Sequence, residues 1–369
     1  LVSNYEPDQQ QSMFRYAEFL RKGLGQGGHD VEVIRPPALF GRLVSSRNLF
    51  FKWLGYVDKY VLFPAWLRTK AVRFDLVHIC DHSNSPYIHW TGRTPTLITA
   101  HDMLAIRSAL GHFPQNPTGP TGRLLQRWIL SGLKSARNVV SVSWKTKQDL
   151  EALIGSGAGI TVIHHALNWE YAPASRTAIE EVRAACGLTP VDEYLLHLGG
   201  NQWYKNRLGV LRIALELRKH QRFRRVKLVM AGKAWTEQMR ALCREQGFAG
   251  AIEIVDPDNP QVRALYSGAL AFLFPSLEEG FGWPVLEAQA CGCLVITSNR
   301  PPMTEIAGEG AIFIDPEDPA RAAQTIAENL DKAESVKQAA SENMKRFAFA
   351  QVMKRYEDVY ASVRRSRVH

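Results

Sequence analysis

Short runs of apolar residues alternate along the chain with longer segments in which apolar side chains recur at helical spacing. The runs are four to six residues long, which is typical of strands that are buried on both faces of a sheet. The first helical segment, residues 12–24, places Phe14, Ala17 and Leu20 on one face and ends at a glycine-rich stretch. This alternation predicts parallel β-sheets covered by helices.

The predicted strands fall into two series separated by a polar, proline-containing stretch around Tyr171–Pro190. We therefore predict two doubly wound α/β domains. The first run, residues 1–4, is predicted to be the end of a strand whose earlier residues precede this numbering. The first series is predicted at 1–4, 29–34, 76–80, 96–100, 138–142 and 160–163, and the second at 194–198, 226–230, 252–255, 271–274, 294–297 and 311–314.

Length and composition agree with this picture and narrow it. The chain has 369 residues, which fits two domains of about 100–200 residues each. Hydrophobic residues make up 46% and charged residues 22%, which excludes a disordered or low-complexity chain. Five cysteines without a C-x-x-C pair favour neither a disulfide framework nor a zinc site, so we expect a reducing, cytoplasmic compartment.

The most informative segment follows the predicted strand 271–274 directly. Pro284 suits the first turn of a helix, so the backbone N–H groups of residues 281–283 are expected at the start of that helix. Such groups bind anions, and phosphate in particular. The segment, residues 275–308, reads PSLEEGFGWPVLEAQACGCLVITSNRPPMTEIAG.

Glu279 and Glu287 are separated by seven residues within this segment. Two carboxylates beside a phosphate site repel the anion unless they bind hydroxyl groups, and sugar and ribose hydroxyls are suitable donors. The segment resembles the E-x7-E signature of retaining GT-B glycosyltransferases of family GT4, including the flanking E-G-F-G-x-P-x-L-E-A and the later Glu305 and Gly308. The competing interpretation is an acidic surface loop that caps a helix.

The resemblance extends over most of the chain and implies an α/β protein with the GT-B fold. Two Rossmann-like, doubly wound domains would then face an interdomain cleft. It implies an N-terminal acceptor-side domain over residues 1–172 and a nucleotide-sugar-binding domain over residues 173–345. A C-terminal helix, residues 346–369, would return to the first domain.

The resemblance also implies roles for individual residues. Glu287 would bind the ribose, and Glu279 would contact the hydroxyls of the donor sugar and orient it. His101, Lys205 and Glu279 are the predicted catalytic residues. The other predicted donor-binding residues are Gly199, Gly200, Asn201, Asn206, Val255, Gly280, Phe281, Gly282 and Trp283.

Lys205 follows the predicted strand 194–198 and is followed by Asn206, as in the family. Its compact positive charge would stabilise the leaving nucleoside diphosphate. The alternative is a solvated loop lysine. The family often has an arginine just before this lysine, where this chain has Tyr204, and Arg207 is a candidate replacement.

Three polar residues of the first domain are further candidates. His101 ends the strand 96–100, where the family has a histidine that faces the donor sugar, so the resemblance implies an orienting role; a purely structural histidine is the alternative. Asp102 would orient His101, meet the acceptor or cap the next helix. Ser12 would lie on the acceptor side, although we favour it as the N-cap of the first helix.

The resemblance implies transfer of a sugar from a nucleoside diphosphate sugar, UDP-sugar rather than GDP-sugar, to an acceptor hydroxyl with retention. Bacterial polysaccharide or exopolysaccharide synthesis on a lipid-linked acceptor is the implied context. No Asp-x-Asp motif stands at a suitable place, so we expect no metal and no cofactor beyond the nucleotide-sugar co-substrate. A GT-B epimerase or phosphorylase and a non-catalytic sugar-nucleotide-binding subunit remain alternatives.

Charge is unevenly distributed. Lys and Arg number 19 against 12 Asp and Glu in residues 1–172, 18 against 21 in residues 173–336, and 8 against 3 in residues 337–369, within a net +9. Residues 40–70 combine aromatic side chains with six cations and one acid. They predict either an anionic membrane surface as partner, on the inner face of the plasma membrane, or a helix packed on its own sheet. No nucleic-acid-binding module is evident.

Overall fold

The computed structural model describes residues 1–40, 54–155 and 157–365. The chain divides into two compact units. The first unit comprises Leu1–Asn168 together with Phe349–His369, and the second comprises Trp169–Ala348.

The first unit contains a parallel sheet in which each strand pairs with the next one along the chain. Its order is β1-β2-β3-β4. Helices α1 to α5 of this unit separate and flank the strands. The strands are β1 (Val77–Ile79), β2 (Thr96–Ala100), β3 (Asn138–Ser141) and β4 (Gly159–Val162). The helices are α1 (Gln11–Gln26), α2 (Phe63–Ala71), α3 (Leu104–Ala109), α4 (Pro120–Ser135) and α5 (Trp144–Ile154).

Two predicted strands of this unit are wrong, because the runs 1–4 and 29–34 pair over a single residue each. Val2 forms isolated parallel bridges with Ile34 and with Ile79, and it is fully buried. Pairing stops beyond these bridges because Pro36 and Pro37, which lack an N–H group, follow on one side and the chain turns into a short helix, Glu6–Asp8, on the other. Val2 nevertheless lies beside Ile79 of β1.

Residues 54–71 are helical throughout: 54–57 lead into a π-helical turn, Asp58–Leu62, which continues as α2. Phe63, Leu67 and Ala71 are fully buried in the core of the first unit. The alternative interpretation, a helix packed on its own sheet, is therefore right for one face of residues 54–71. Residues 41–53 of the predicted membrane segment lie outside the described residues.

The second unit contains a six-stranded parallel sheet with the order β10-β9-β8-β5-β6-β7. Its first strand, β5, lies between β8 and β6, so the strand order reverses between β5 and β8. Ligands of such sheets bind at this switch point, beyond the carboxyl ends of the strands. The strands are β5 (Tyr194–Gly199), β6 (Lys227–Gly232), β7 (Ala251–Val255), β8 (Ala271–Phe274), β9 (Val295–Ser298) and β10 (Ile312–Ile314).

The strands of this sheet are largely buried because helices cover them, which explains their continuous apolar runs. The helices of the second unit are α6 (Arg176–Ala185), α7 (Arg207–Leu217), α8 (Glu237–Glu245), α9 (Asn259–Gly268), α10 (Trp283–Ala290), α11 (Met303–Ala307), α12 (Pro319–Asn329) and α13 (Ala333–Met344).

The last described helix, α14 (Phe349–Arg365), belongs to the first unit. Its Tyr356 hydroxyl lies 2.7 Å from the Tyr16 hydroxyl of α1, and its Tyr360 hydroxyl lies 2.6 Å from Nδ1 of His78 on β1. These groups are buried, so their hydrogen bonds fix α14 against the sheet and α1. No helix in the described ranges is long and apolar enough to cross a membrane.

Candidate active site

Two predicted catalytic residues meet at the switch point of the second sheet. Lys205 ends a short 3-10 helix, Trp203–Lys205, in the loop after β5, and Glu279 lies in the loop after β8. The Lys205 Nζ donates a hydrogen bond of 2.6 Å to Oε1 of Glu279. Both side chains are mostly buried, with 16% and 9% exposed. The two predicted catalytic residues are thus joined by a charge-assisted hydrogen bond.

The surroundings of this pair are apolar on one side. The Lys205 ammonium group lies 5.0 Å from the centre of the Phe274 ring and 5.5 Å from that of Tyr204. Such contacts favour the cation. The backbone N–H of Leu277 also donates to the Tyr204 carbonyl at 2.7 Å, which ties the loop after β8 to the loop after β5.

Asn206 ties the loop after β5 to two other loops through its side chain. Its backbone adopts the left-handed conformation, with φ 52°, which asparagine tolerates better than most residues. Its side-chain Nδ2 donates to the carbonyl oxygens of Pro275 at 3.0 Å and Pro316 at 2.9 Å. The side chain of this predicted donor-binding residue therefore holds together the segments that follow β5, β8 and β10.

The predicted glycines after β5 lie where the sheet requires close packing of backbone. Gly199 ends β5 beside Gly232, which ends β6. Gly232 has φ +120°, and a Cβ there would lie 2.3 Å from the Gly199 carbonyl oxygen. Only glycine fits such a contact. Gly232 was not among the predicted site residues, although it follows the predicted strand 226–230 closely.

Asn201 links the same two loops. Its Nδ2 donates to the carbonyl of Ala234 at 2.8 Å, and its Oδ1 accepts a hydrogen bond from Arg207. Val255 ends the neighbouring strand β7 in register with Gly232, and its side chain is exposed. The predicted residues Gly199, Asn201 and Val255 therefore all lie at the carboxyl edge of β5, β6 and β7.

The glycine-rich loop after β8 leads into α10 as predicted. Gly280 and Phe281 precede Gly282, which occupies the N-cap position with φ +100°, and the helix begins at Trp283. Pro284 is in its first turn. A Cβ on Gly282 would also lie 2.4 Å from Cε of Met303. The positive φ favours glycine at this position, whereas the contact involves only the flexible end of the Met303 side chain, which can move aside. The loop thus brings the N–H groups of the first turn of α10 to the carboxyl edge.

Glu287 lies one turn further along α10 and is 7% exposed. Its Oε2 accepts a hydrogen bond of 3.2 Å from the hydroxyl of Tyr266 on α9. Burial and the Glu287 charge raise the pKa of Tyr266 well above its ordinary value, so the hydroxyl keeps its proton and donates. Tyr266 was not among the predicted site residues, because nothing in the sequence links it to Glu287.

His101 follows β2 in the first unit and is almost fully buried. Its Nε2 lies 2.8 Å from the Cys80 carbonyl and its Nδ1 lies 3.2 Å from Nε2 of His165. Burial lowers the pKa of both histidines. The carbonyl requires a proton on Nε2 of His101, so Nδ1 accepts from His165. The two imidazole rings are stacked, with centres 5.2 Å apart. Both ring nitrogens of His101 therefore have protein partners.

A buried polar group after β1 lies near His101 and was missed. Asp81 accepts hydrogen bonds from Asn4 at 2.6 Å and from the Ser83 hydroxyl at 2.6 Å, and it lies 3.2 Å from Nδ1 of His82. Burial alone would raise the pKa of Asp81, but His82 and Ser83 lower it below its usual range. Its position directly after a predicted strand was the available signal.

The two predicted acceptor-side residues, Asp102 and Ser12, both lie near the start of a helix. Asp102 accepts a hydrogen bond of 2.9 Å from the N–H of Leu104, the first residue of α3, but Met103 and not Asp102 occupies the N-cap position of that helix. Ser12 is not an N-cap, and that interpretation was wrong. The helix begins one residue earlier, Gln10 is in the cap position, and Ser12 lies exposed in the first turn. In the described parts of the chain, no cluster of three His, Cys, Asp or Glu side chains is placed to hold a metal.

Solved structures with a similar fold cover nearly the whole chain. Anabaena Alr3699/HepE in complex with UDP and glucose superposes with a TM-score of 0.70 at 16% identity, over 93% of this chain and 89% of that one. Sucrose-phosphate synthase from Thermosynechococcus elongatus gives 0.72 at 18% identity, over 94% and 92%. At these identities the likeness shows the fold, which is GT-B.

Curated relatives are similar in sequence to between about half and four-fifths of this chain. The D-inositol 3-phosphate glycosyltransferase of Corynebacterium diphtheriae is 24% identical over 305 residues, 78% of this chain and 71% of the relative. The O-antigen chain mannosyltransferase B of Escherichia coli is 29% identical over 203 residues, 53% of this chain and 52% of the relative.

Two family models together account for both halves of the sequence. The model described as Glycosyltransferase Family 4 matches residues 13–170, and the model described as Glycosyl transferases group 1 matches residues 179–346. The second match contains Lys205, Glu279 and Glu287, the residues that meet at or beside the switch point. The chain therefore belongs to the group 1, family 4 glycosyltransferases.

Proposed function

We propose that this glycosyltransferase moves a sugar from a nucleoside diphosphate sugar to an acceptor hydroxyl, with retention of the anomeric configuration. The observation that carries the proposal is the hydrogen bond between Lys205 and Glu279 at the switch point of the second sheet. A bound diphosphate competes with Glu279 for the ammonium group. Glu279 then turns to the sugar hydroxyls, and Lys205 faces the phosphate.

In the transition state, negative charge grows on the leaving diphosphate. In this proposal, Lys205 and the N–H groups of residues 281–283, at the start of α10, stabilise that charge. Glu287, held by Tyr266, binds the ribose hydroxyls. His101 and Asp102 line the acceptor side with Ser12. These fixed groups position the substrates and stabilise charge, so the reaction proceeds without a metal ion.

Retention follows from a same-face path. A double-displacement path needs a carboxylate nucleophile beside the anomeric carbon. Glu279 binds Lys205 and is assigned to the sugar hydroxyls instead. The leaving phosphate therefore takes the proton of the acceptor hydroxyl as the new bond forms on the same face.

A UDP-sugar is the proposed donor. Support comes from the fold neighbours, since the HepE structure holds UDP and glucose and the similar trehalose-phosphate synthases of Burkholderia are described as UDP-forming. The proposed acceptor is a saccharide or a lipid-linked saccharide in polysaccharide synthesis. Support for it is the similarity to an O-antigen chain mannosyltransferase.

The proposal is tested in two steps on the purified protein. Calorimetric titration with UDP, GDP and ADP identifies the base, and we expect UDP to bind most tightly. Proton NMR of the product formed from the matching sugar nucleotides, with a panel of saccharide and polyprenyl-linked acceptors, gives the anomeric configuration. Retention and full activity in EDTA are expected. An inverted product, or activity that EDTA abolishes, would refute the mechanism.

We also propose that the first unit binds an anionic membrane surface through an exposed aromatic face. The face consists of side chains on the helical residues 54–71 and on α4, and the two parts meet where the Tyr60 and Trp128 rings lie 4.7 Å apart. Within these two segments Lys and Arg outnumber acids, since 54–71 contain only Asp58, which is buried, and α4 contains none. Lys59 and Lys70 form ion pairs with Asp8 and Glu32 of other segments, so the positive excess of the face comes from Arg68 and the cations of α4. Its exposed apolar members are Tyr56, Val61, Leu62, Trp66, Leu124 and Trp128.

A further inference from the structure

Arg207 is the first residue of α7, and its guanidinium group is buried at the carboxyl edge of the second sheet. The residue is only 5% exposed. Its Nη1 donates to the Lys233 carbonyl at 2.7 Å and to Oδ1 of Asn201. Its Nε and Nη2 are buried and have no hydrogen-bond partner among the residues that the structure describes. These two atoms form one complete edge of the planar guanidinium group.

The positive charge of Arg207 also lacks a bonded carboxylate in the described chain. The nearest acid that acts on it, Glu253, already accepts hydrogen bonds from the Trp235 N–H at 2.6 Å and from Arg240 at 2.8 Å. Burial lowers the pKa of Arg207, but arginine stays protonated in proteins. Lys205, two residues earlier, has Glu279 as a direct partner. Arg207 is thus the less compensated of the two cations.

The position of Arg207 indicates which ligand would complete its bonding. Its two partners lie in the loops after β5 and β6, next to the switch point. The N-terminus of α7 adds positive potential there. Buried charges are normally paired, and one guanidinium edge matches two oxygens of a phosphate group. Lys205 is the one cation in the loop 200–206, so Arg207 is the next positive charge available to a phosphate there.

We infer that Arg207 binds the diphosphate of the nucleotide donor through Nε and Nη2. This inference rests on the proposed function. Because both atoms are covered, the loop after β5 or the loop after β6 shifts when the diphosphate enters. Nη1 remains on the Lys233 carbonyl and keeps the guanidinium plane oriented. The diphosphate is then held between Lys205 and Arg207.

The competing role is a structural clamp, in which Arg207 only ties Asn201 to Lys233. The two roles predict opposite effects on stability. Removal of a clamp destabilises the protein. Replacement of an incompletely bonded buried charge by an apolar side chain of similar length leaves stability unchanged or raises it. Arg207→Met makes this replacement, and Arg212→Met on the exposed face of α7 is the matched control.

The experiment compares wild-type protein, R207M, R207K and R212M. Calorimetry gives the Kd for UDP, ligand-observed NMR gives that for uridine, and thermal unfolding without nucleotide gives Tm. In R207M we expect UDP affinity to fall by about tenfold or more, uridine affinity to stay, and Tm to be equal or higher. R207K should retain part of the UDP affinity, and R212M should match the wild type.

The outcomes separate this inference from the proposed function. If R207M binds UDP as tightly as the wild type, the inference is overturned while the proposed function stands. If R207M loses affinity for UDP and uridine alike and its Tm falls, Arg207 is a clamp and the inference is again overturned. If the wild type binds none of UDP, GDP and ADP, the proposed function fails and the inference fails with it.

Discussion

Lys205 and Glu279 come from loops that are 74 residues apart in sequence, yet the lysine Nζ lies 2.6 Å from the glutamate Oε1. Each side chain neutralises the other in a mostly buried position. A substrate that separates them must supply both an anion for Lys205 and hydroxyl groups for Glu279. A sugar diphosphate contains both groups in one molecule, which is why this pair suits such a donor.

Lys205→Met should lower sugar transfer by about two to three orders of magnitude, because it removes a charge that stabilises the leaving diphosphate. It also leaves a mostly buried carboxylate unpaired, which costs about 1–3 kcal/mol of unfolding free energy. The double variant K205M/E279Q should recover stability but not activity. Steady-state kinetics and urea unfolding measure both effects. Lys219→Met, which breaks an exposed ion pair, is the control, and near-normal turnover of K205M would contradict the assigned role.

Glu287→Gln should weaken recognition of the ribose. The wild type should bind UDP more tightly than the 2′-deoxy or 3′-deoxy analogue, and the difference should shrink in the variant because a carboxylate accepts hydroxyl protons better than an amide does. Tyr266→Phe should have a smaller effect of the same kind, since it frees the carboxylate that Tyr266 holds. Calorimetry with the three nucleotides checks this, and an unchanged preference in E287Q would count against ribose binding.

Gly232→Ala should destabilise the second unit strongly. The new Cβ would lie 2.3 Å from the Gly199 carbonyl oxygen, at φ +120°. Gly247→Ala is the matched control, because Gly247 also has positive φ but no atom near its Cβ position. We expect about 1 kcal/mol for the control and about 3 kcal/mol or more for G232A by urea unfolding. Equal losses of unfolding free energy in G232A and G247A would mean that the backbones at Gly199 and Gly232 can move apart with little loss of stability.

The local signals of the sequence were sufficient for the elements that position the site. The apolar run 271–274 forms β8, and the glycines and Pro284 that follow it start α10 at Trp283, close to the predicted start. Buried parallel strands require continuous apolar runs, and helix starts require particular backbone conformations. Both requirements act on neighbouring residues and are therefore visible in the sequence.

Pairings between distant residues were not accessible in the same way. The hydrogen bond between Glu287 and Tyr266 depends on how α9 packs against α10. The hydrogen bond between Asn201 and Arg207 depends on the conformation that the Arg207 side chain adopts when it is buried. The predicted cap at Ser12 was wrong because the helix already begins at Gln11, with Gln10 in the cap position and no side-chain bond there. Such choices are decided by packing, which a local pattern does not contain.

The buried histidines predict that the protein loses stability in mild acid. Burial lowers the pKa of His165 in the folded state, so unfolding takes up a proton below the unfolded pKa of about 6.5. Its contribution is complete above that pH and declines as pH falls. Asp81 raises the pKa of His82 against the effect of burial, so the stability that His82 contributes is lost as the pH rises above 6.5. This effect lies outside the pH range in which His165 acts.

His165→Phe should therefore reduce the slope of unfolding free energy between pH 6.5 and 5 by up to about 1.4 kcal/mol per pH unit. Urea unfolding at several pH values measures the slope. His112→Gln, at an exposed site, should leave the slope unchanged. A parallel pH dependence in wild type and H165F would show that folding does not lower the pKa of His165.

The aromatic face predicts binding to anionic vesicles. Trp66 and Trp128 are 41% and 38% exposed, on two helices joined through the Tyr60 ring. Tryptophan inserts at the headgroup level, and nearby cations attract anionic lipid. The double variant W66S/W128S should reduce sedimentation with phosphatidylglycerol-containing vesicles by about tenfold or more, because two large apolar contacts are lost.

Three controls make this vesicle test specific. Val191→Ser removes an exposed apolar side chain from the second unit and should bind vesicles as the wild type does. Vesicles of phosphatidylcholine alone should bind more weakly than anionic ones, because the cations then have no counter-charge. Added salt should weaken binding to anionic vesicles through screening. Wild-type protein that stays in the supernatant with anionic vesicles at moderate salt would rule out the membrane proposal, while the donor-site predictions would be unaffected because they concern the second unit.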